Sequence, residues 1–313
     1  MNRKHCAYGN CVTVLEVIQR SAAFLAKKEV ESPRLQVELM LAHLLRVRRM
    51  DLYLNFERIL TPKELEDLRK MISRRGQREP LQHIVGSTSF CGLEIAVNAN
   101  VLVPRPETEL LAELGWEFLN AGCATPNAEM AGELRETAPA YAAQNFTALD
   151  FGTGSGCLAI ALAAKSPTAK VVALDVSPEA LSVARENALR HKVESRIRFV
   201  QGNGLSALDR DERFDLIVAN PPYIPSGEIA SLQPEVRNHD PRLALDGGSD
   251  GLDFYRQLAL EAGTFLKPFG RMMLELGDGQ SAAVQNLFQA QKWVVEAIKP
   301  DYNAHPRILV AHQ

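Results

Sequence analysis

Apolar positions along the chain change their period twice. From about residue 13 to residue 71 they recur at helical spacing. Val14, Leu15, Val17, Ile18, Ala22 and Leu25 share one face, and Val37, Met40, Leu41, Leu44 and Leu45 share another. Between the two faces, Ser32-Pro33 reads as an N-cap and a first helical residue. Thr61 and Glu64 stand at capping-box spacing and open a third helix through Leu65, Leu68, Met71 and Ile72. The pattern predicts a small helical bundle over residues 1–85, ended by Pro80-Leu81-Gln82-His83-Ile84. Ser89-Phe90-Cys91-Gly92-Leu93-Glu94-Ile95 then reads as two extended pieces about a glycine turn, and Pro106 as the start of a helix to Leu119. Residues 86–120 are thus expected to form a hairpin and a connecting helix.

Residues 120–145 are rich in Ala, Glu and Thr without a period and read as a connector or a poorly packed helix. The third regime follows, in which short apolar runs alternate with helical segments. Strands are expected at 147–151, 171–175, 197–200, 214–219, 271–276, 293–298 and 307–311. Ser177-Pro178-Glu179 supplies an N-cap, a first-turn proline and a first-turn acid for one of the intervening helices. Such alternation implies an α/β domain over 121–313 with a mostly parallel, doubly wound sheet, which binds ligands at the carboxyl ends of its strands. The stretch from Ser226 to Asp250 interrupts the alternation and is long enough to serve as a lid.

Composition narrows the function classes. The 313 residues carry a formal charge of -3, so the bulk basicity that favours nonspecific nucleic-acid binding is absent. No apolar run approaches the ~20 residues that span a bilayer. The polar start of the chain shows no secretory signal. Five scattered cysteines (Cys6, Cys11, Cys91, Cys123 and Cys157) fit free thiols in a reducing cytoplasm. Cys6 and Cys11 lack further ligands at metal-binding spacing, and no metal is expected. Arg46, Arg48, Arg49, Arg69, Lys70, Arg74, Arg75 and Arg78 lie among Glu57, Glu64, Glu66 and Asp67. They read first as a solvated mixed-charge face, and second as a surface for a protein partner or RNA.

The candidate chemistry gathers after the strands. Gly152-Thr153-Gly154-Ser155-Gly156 turns the first strand into a helix, presenting backbone N–H groups at a helix start. Asp175 ends the second strand, where a carboxylate accepts both ribose hydroxyls of an adenosine. The spacing G-x-G-x-G and the lack of a second nucleotide-binding half favour S-adenosylmethionine over a dinucleotide. Asp150 either holds the glycine turn or reaches the methionine amine. Asn203-Gly204, after the third strand, is either an adenine contact or a plain turn. Asn220-Pro221-Pro222-Tyr223 follows the fourth strand, and its two prolines end that strand in an exposed polar tip. The Asn220 side-chain oxygen and a backbone carbonyl would accept both protons of a planar NH2 group, with Tyr223 packed on it. Arg105, between Pro104 and Pro106, stands in a stiff extended segment suited to a pocket wall or a linker.

The glycine loop, Asp175 and Asn220-Pro221-Pro222-Tyr223 resemble the amino-methyltransferases of amide and exocyclic nitrogens. Pro80-Leu81-Gln82-His83-Ile84, Leu102-Val103-Pro104-Arg105-Pro106-Glu107-Thr108-Glu109 and the stretch from Glu235-Val236 to Phe254-Tyr255 are more selective. Together they resemble the peptide chain release factor glutamine methyltransferase (PrmC/HemK) family from about residue 13 to the C-terminus. The resemblance implies a class I S-adenosylmethionine-dependent methyltransferase fold, a Rossmann-like sheet ending in an antiparallel hairpin, with an N-terminal domain that docks the release factor. It implies N5 methylation of the glutamine in the factor's Gly-Gly-Gln motif, by a cytoplasmic monomer with no nucleic-acid substrate and no membrane association. Carried over by position, Gly152, Thr153, Gly154, Ser155, Gly156, Asp175, Asn203, Gly204 and Asn220 would hold the cofactor. Asn220, Pro221, Pro222 and Tyr223 would hold the glutamine, with Asn220, Pro221 and Tyr223 acting in the transfer. Asn203 stands where the family usually has an acid, and Phe151 where it has a smaller aliphatic residue. The alternatives are a ribosomal-protein glutamine methyltransferase, an adenine-N6 nucleic-acid methyltransferase and a catalytically silent binding module.

Overall fold

The structure is a computed structural model that describes residues 12–122 and 145–313. Cys6, Cys11, Cys123 and most of the expected connector lie outside the described residues. Local signals set the first helices. Thr13 accepts from the Glu16 backbone N–H while the Glu16 carboxylate takes the Thr13 N–H, opening α1 (Val14–Ala26). Thr61 and Glu64 repeat the device at α4 (Pro62–Gly76). The Ser32 cap is not made: Ser32 sits at φ 46 with no side-chain capping bond, and α2 (Pro33–Leu45) starts on Pro33 alone. Two short helices, α3 (Arg49–Tyr53) and α5 (Leu81–Val85), complete the bundle, so residues 80–84 form a helical turn as well as its end. Ile18, Leu25, Met40, Leu41, Leu52 and Leu68 fill its core.

Charge on this bundle departs from the expected solvated face at one place. Arg48, Lys70 and Arg74 pair with Asp51, Glu66 and Glu79 at the surface. Arg75 is instead only 4% exposed. Its guanidinium meets Gln36 and donates to Glu235 at 2.7 Å, and Arg78 makes two further bonds of 2.7 Å to the same carboxylate. Gln233–His239 therefore packs with the described residues up to Gly86 as one compact unit, and Ser87–Leu232 with Asp240–Gln313 forms the second.

The second unit begins with the antiparallel pair β1 (Ser87–Phe90) and β2 (Leu93–Ala96), turned at Cys91 and Gly92. The Cys91 N–H donates to Glu109 on α6 (Pro106–Asn120). The main sheet comprises β3 (Thr147–Phe151), β4 (Lys170–Asp175), β5 (Ile197–Gln201), β6 (Phe214–Ala219), β7 (Leu266–Glu275), β8 (Val294–Pro300) and β9 (Pro306–His312). Its order is β5-β4-β3-β6-β7-β9-β8, parallel through β7 and antiparallel at β9 and β8. Leu158, Ile160 and Leu162 belong to the core on one face, and Tyr255, Leu258 and Phe288 to the core on the other. β7 starts five residues earlier than its apolar run because pairing to β6 shifts between Phe214 and Leu216, leaving Phe269 at φ 66. Strand order reverses between β3 and β6, which is where such sheets open a crevice. The two ends of the 226–250 stretch are tied together, Ile224 bridging Asp246 and the Ser226 N–H donating to Gly248, while buried Asp240 takes Arg105 at 2.8 Å.

Candidate active site

The glycine loop is tied to the sheet before it bends away. Both the Gly152 and Thr153 N–H groups donate to the Leu174 carbonyl on the neighbouring strand, at 2.9 and 3.0 Å. Gly152, Gly154 and Gly156 all take left-handed φ values (73, 55 and 81). A Cβ at Gly152 would meet nothing within 4 Å, whereas one at Gly156 would strike Ala184 at 3.0 Å. The loop is thus open on one side and close-packed on the other, and the N–H groups of Gly152, Thr153, Gly154 and Gly156 are already taken by Leu174, Asp175 and Thr153.

Two carboxylates brace this loop. Asp150 is fully buried, and its Oδ2 accepts from Thr153 Oγ1 at 2.6 Å and from the Ala159 N–H at 3.0 Å. Its Oδ1 is buried with no partner among the described residues. Burial pushes Asp150 up to about 7, against those two hydrogen bonds, and the charge of Asp175 pushes the same way. Asp175 is half-buried and held by the Gly154 N–H at 2.8 Å and the Ser177 N–H at 2.9 Å. Its register partner is Gln201, which brings Asn203 and Gly204 to the next place on the same edge; Asn203 is exposed and Gly204 buried.

Asn220 completes the row at the end of β6. Its Nδ2 donates to Thr108 Oγ1 at 3.0 Å, and that hydroxyl donates to Glu275 Oε2 at 2.6 Å. Among the described residues nothing donates to Asn220 Oδ1 or to the Pro221 carbonyl. Pro221 is buried and Pro222 half-buried. Gln280 donates to the Tyr223 carbonyl at 2.9 Å. Burial pushes the Tyr223 hydroxyl up to about 12, with Glu275 adding to it, so the ring stays a neutral phenol. Because β5, β4, β3 and β6 are adjacent and parallel, the glycine loop, Asp175, Asn203 and Asn220 share one sheet edge. A cleft lined by Lys170, Arg196, Arg198 and Arg213 lies at the opposite, amino ends of these strands.

Thr108 and Glu275 are the site residues that sequence reasoning left without a role. The available signal was an acid ending the apolar run Met272-Met273-Leu274. The remaining features suit a nucleoside bearing an amino-acid tail: an open glycine loop, a half-buried carboxylate at the end of β4 and a buried oxygen of Asp150 without a partner among the described residues. Among the described residues no cluster of potential metal ligands occurs, and no helix is long and apolar enough to cross a membrane.

A family model described as the methyltransferase small domain matches residues 135–234, and the PrmC N-terminal domain matches residues 16–86. The crystal structure of the hMettl16 catalytic domain in complex with MAT2A 3'UTR hairpin 6 shares the fold at a TM-score of 0.50. It is 13% identical and the match covers 82% of this chain and 84% of that one. Fold and site together define a class I S-adenosylmethionine-dependent methyltransferase. The chain is 44% identical to the release factor glutamine methyltransferase of Geobacter sulfurreducens over 276 residues, 88% of each chain. It is 42% identical to that of Chlorobaculum tepidum over 294 residues, 93% of this chain and 94% of the relative. The chain belongs to the release factor glutamine methyltransferase family.

Proposed function

We propose that this enzyme methylates the side-chain amide nitrogen (N5) of the glutamine in the Gly-Gly-Gln motif of peptide chain release factors. The observation that carries the reading is the Asn220 carboxamide, whose NH2 end is taken by Thr108 so that its oxygen is left for a substrate. S-adenosylmethionine, when bound, supplies an electrophilic methyl group on a sulfonium. Gly152, Thr153, Gly154, Ser155 and Gly156 would cradle its amino-acid end, Asp175 its ribose, and Asn203 with Gly204 its adenine. The glutamine nitrogen is a poor nucleophile because its lone pair is delocalised into the carbonyl. Asn220 Oδ1 and the Pro221 carbonyl each accept one of its protons, which fixes the nitrogen in line and favours the positive charge developing on it. Pro222 and Tyr223 pack beside the glutamine side chain. No strong base is needed before transfer, since the methylated amide cation loses its proton readily to water.

The helical unit is read as the docking surface for the factor, supported by the exposed apolar residues Met50, Leu54 and Ile59. The enzyme is read as a monomer that works in the cytoplasm, where release factors act, on protein and not on nucleic acid. The test is a labelled methyl assay offering purified release factor and unmethylated duplex DNA side by side. Label is expected on the factor's glutamine only, and Asn220→Ala should abolish it while cofactor affinity is largely kept. Label in DNA, or an Asn220→Ala enzyme with near-normal turnover, would overturn the reading.

A further inference from the structure

The sheet register sets Leu274 beside Ala219, so Glu275 comes level with Asn220 at the ends of adjacent parallel strands. Thr108, in the first turn of α6, is buried and reaches both. A hydroxyl has a single proton to donate. An ionised Glu275 can only accept, so it takes that proton and leaves the Thr108 oxygen as an acceptor. Only the NH2 end of Asn220 satisfies that oxygen; the flipped carboxamide would set two acceptors against each other. Flipping Asn220 would also present two donors to the substrate NH2 group, where two acceptors are needed.

We propose that Thr108 and Glu275 are positioning residues that fix which end of the Asn220 carboxamide faces the substrate amide. The proposal rests on the reading of Asn220 as the substrate clamp. Protonating Glu275 would reverse the relay: the acid donates to Thr108, whose own proton then points to Asn220 and calls for its oxygen. Burial pushes Glu275 up to about 7, against the Thr108 hydrogen bond and the charges of Arg307 and Arg105, with Glu107 pushing the same way as burial. Tyr223 and Tyr255 also face it, both held neutral, and the Tyr255 hydroxyl donates to the Glu275 backbone carbonyl at 2.9 Å. Turnover at saturating cofactor should therefore rise with pH through neutrality.

The experiment measures kcat and KM for release factor with Thr108→Val, Thr108→Ser, Glu275→Gln and Asn220→Ala, alongside cofactor affinity by calorimetry. Thr108→Val should lower kcat about 10- to 100-fold, the scale of a misplaced reacting group. Its KM for release factor and its affinity for cofactor should hold, and Thr108→Ser should restore most of kcat. Glu275→Gln should lose the rise near neutrality and add nothing further in a Thr108→Val background, because both act through one hydrogen bond. A Thr108→Val enzyme that binds cofactor and keeps kcat overturns the proposal. If that variant fails to fold, a Glu275→Gln enzyme retaining the wild-type pH profile does so. An inactive Asn220→Ala beside a normal Thr108→Val defeats the relay alone, whereas an active Asn220→Ala defeats the clamp itself.

Discussion

Asp150 binds the glycine loop through only one of its two oxygens. One oxygen holds Thr153 and the Ala159 N–H, and the other is buried without a partner. A cationic amine beside that second oxygen would favour the ionised form, so binding would release the proton that burial retains. In the folded protein burial pushes the Asp150 carboxyl up to about 7. Affinity for S-adenosylmethionine should accordingly strengthen as pH rises through that value, and Asp150→Asn should flatten the dependence; calorimetry across the range checks it. Residues acting through their neighbours in the chain could be read in advance. The glycine loop after an apolar run and the two prolines after Asn220 carry their geometry with them. Thr108 and Glu275 could not be read, because their importance comes from contacts between distant residues: Thr108 meets Asn220 across 112 residues and Glu275 across 167.

The same division holds for whole elements. Thr61 caps its helix as the spacing predicts, and the structure adds the same device at Thr13, since both halves of each box lie within one turn. Ser32 does not cap, because its left-handed backbone carries the side-chain oxygen away from the turn. Arg75 sits in a run of basic residues on α4 that looks like a wet face, yet its partner lies 160 residues on. Burial pushes Glu235 up, but the hydrogen bonds of Arg78 and Arg75 outweigh it and bring the carboxyl down to about 2. Stability from this cluster is complete above the ordinary glutamate range and is lost as pH falls towards 2. Glu235→Gln leaves buried Arg75 short of its counter-charge and should cost roughly 3 kcal/mol at neutral pH. Urea unfolding at pH 7 and at pH 3 checks both points, the gap between variant and wild type narrowing at the lower pH without closing.

Over the whole molecule, the order of strands and helices was legible because apolar period distinguishes them. The sheet's central reversal followed from the alternation. The assignment of residues 233–239 to the helical unit did not, since no local pattern marks a short helix as belonging elsewhere. If the helical unit recognises the body of the release factor, Met50→Glu with Leu54→Glu should raise KM for the intact factor several-fold. The same pair should leave methylation of a short Gly-Gly-Gln peptide unchanged, and steady-state kinetics on the two substrates checks this.

The path of the chain also bears on how the enzyme can be taken apart. Because the polypeptide passes between its two units at 86, at 232 and again at 239, severing it after Gly86 separates residues 233–239 from the unit they pack with. The amino-terminal piece would keep Arg75 and Arg78 but lose the acid they enclose, and the remainder would carry that acid on an orphaned helical turn. Adding a synthetic peptide of residues 233–239 to the amino-terminal piece should therefore raise its melting temperature, much as a missing strut stiffens a frame.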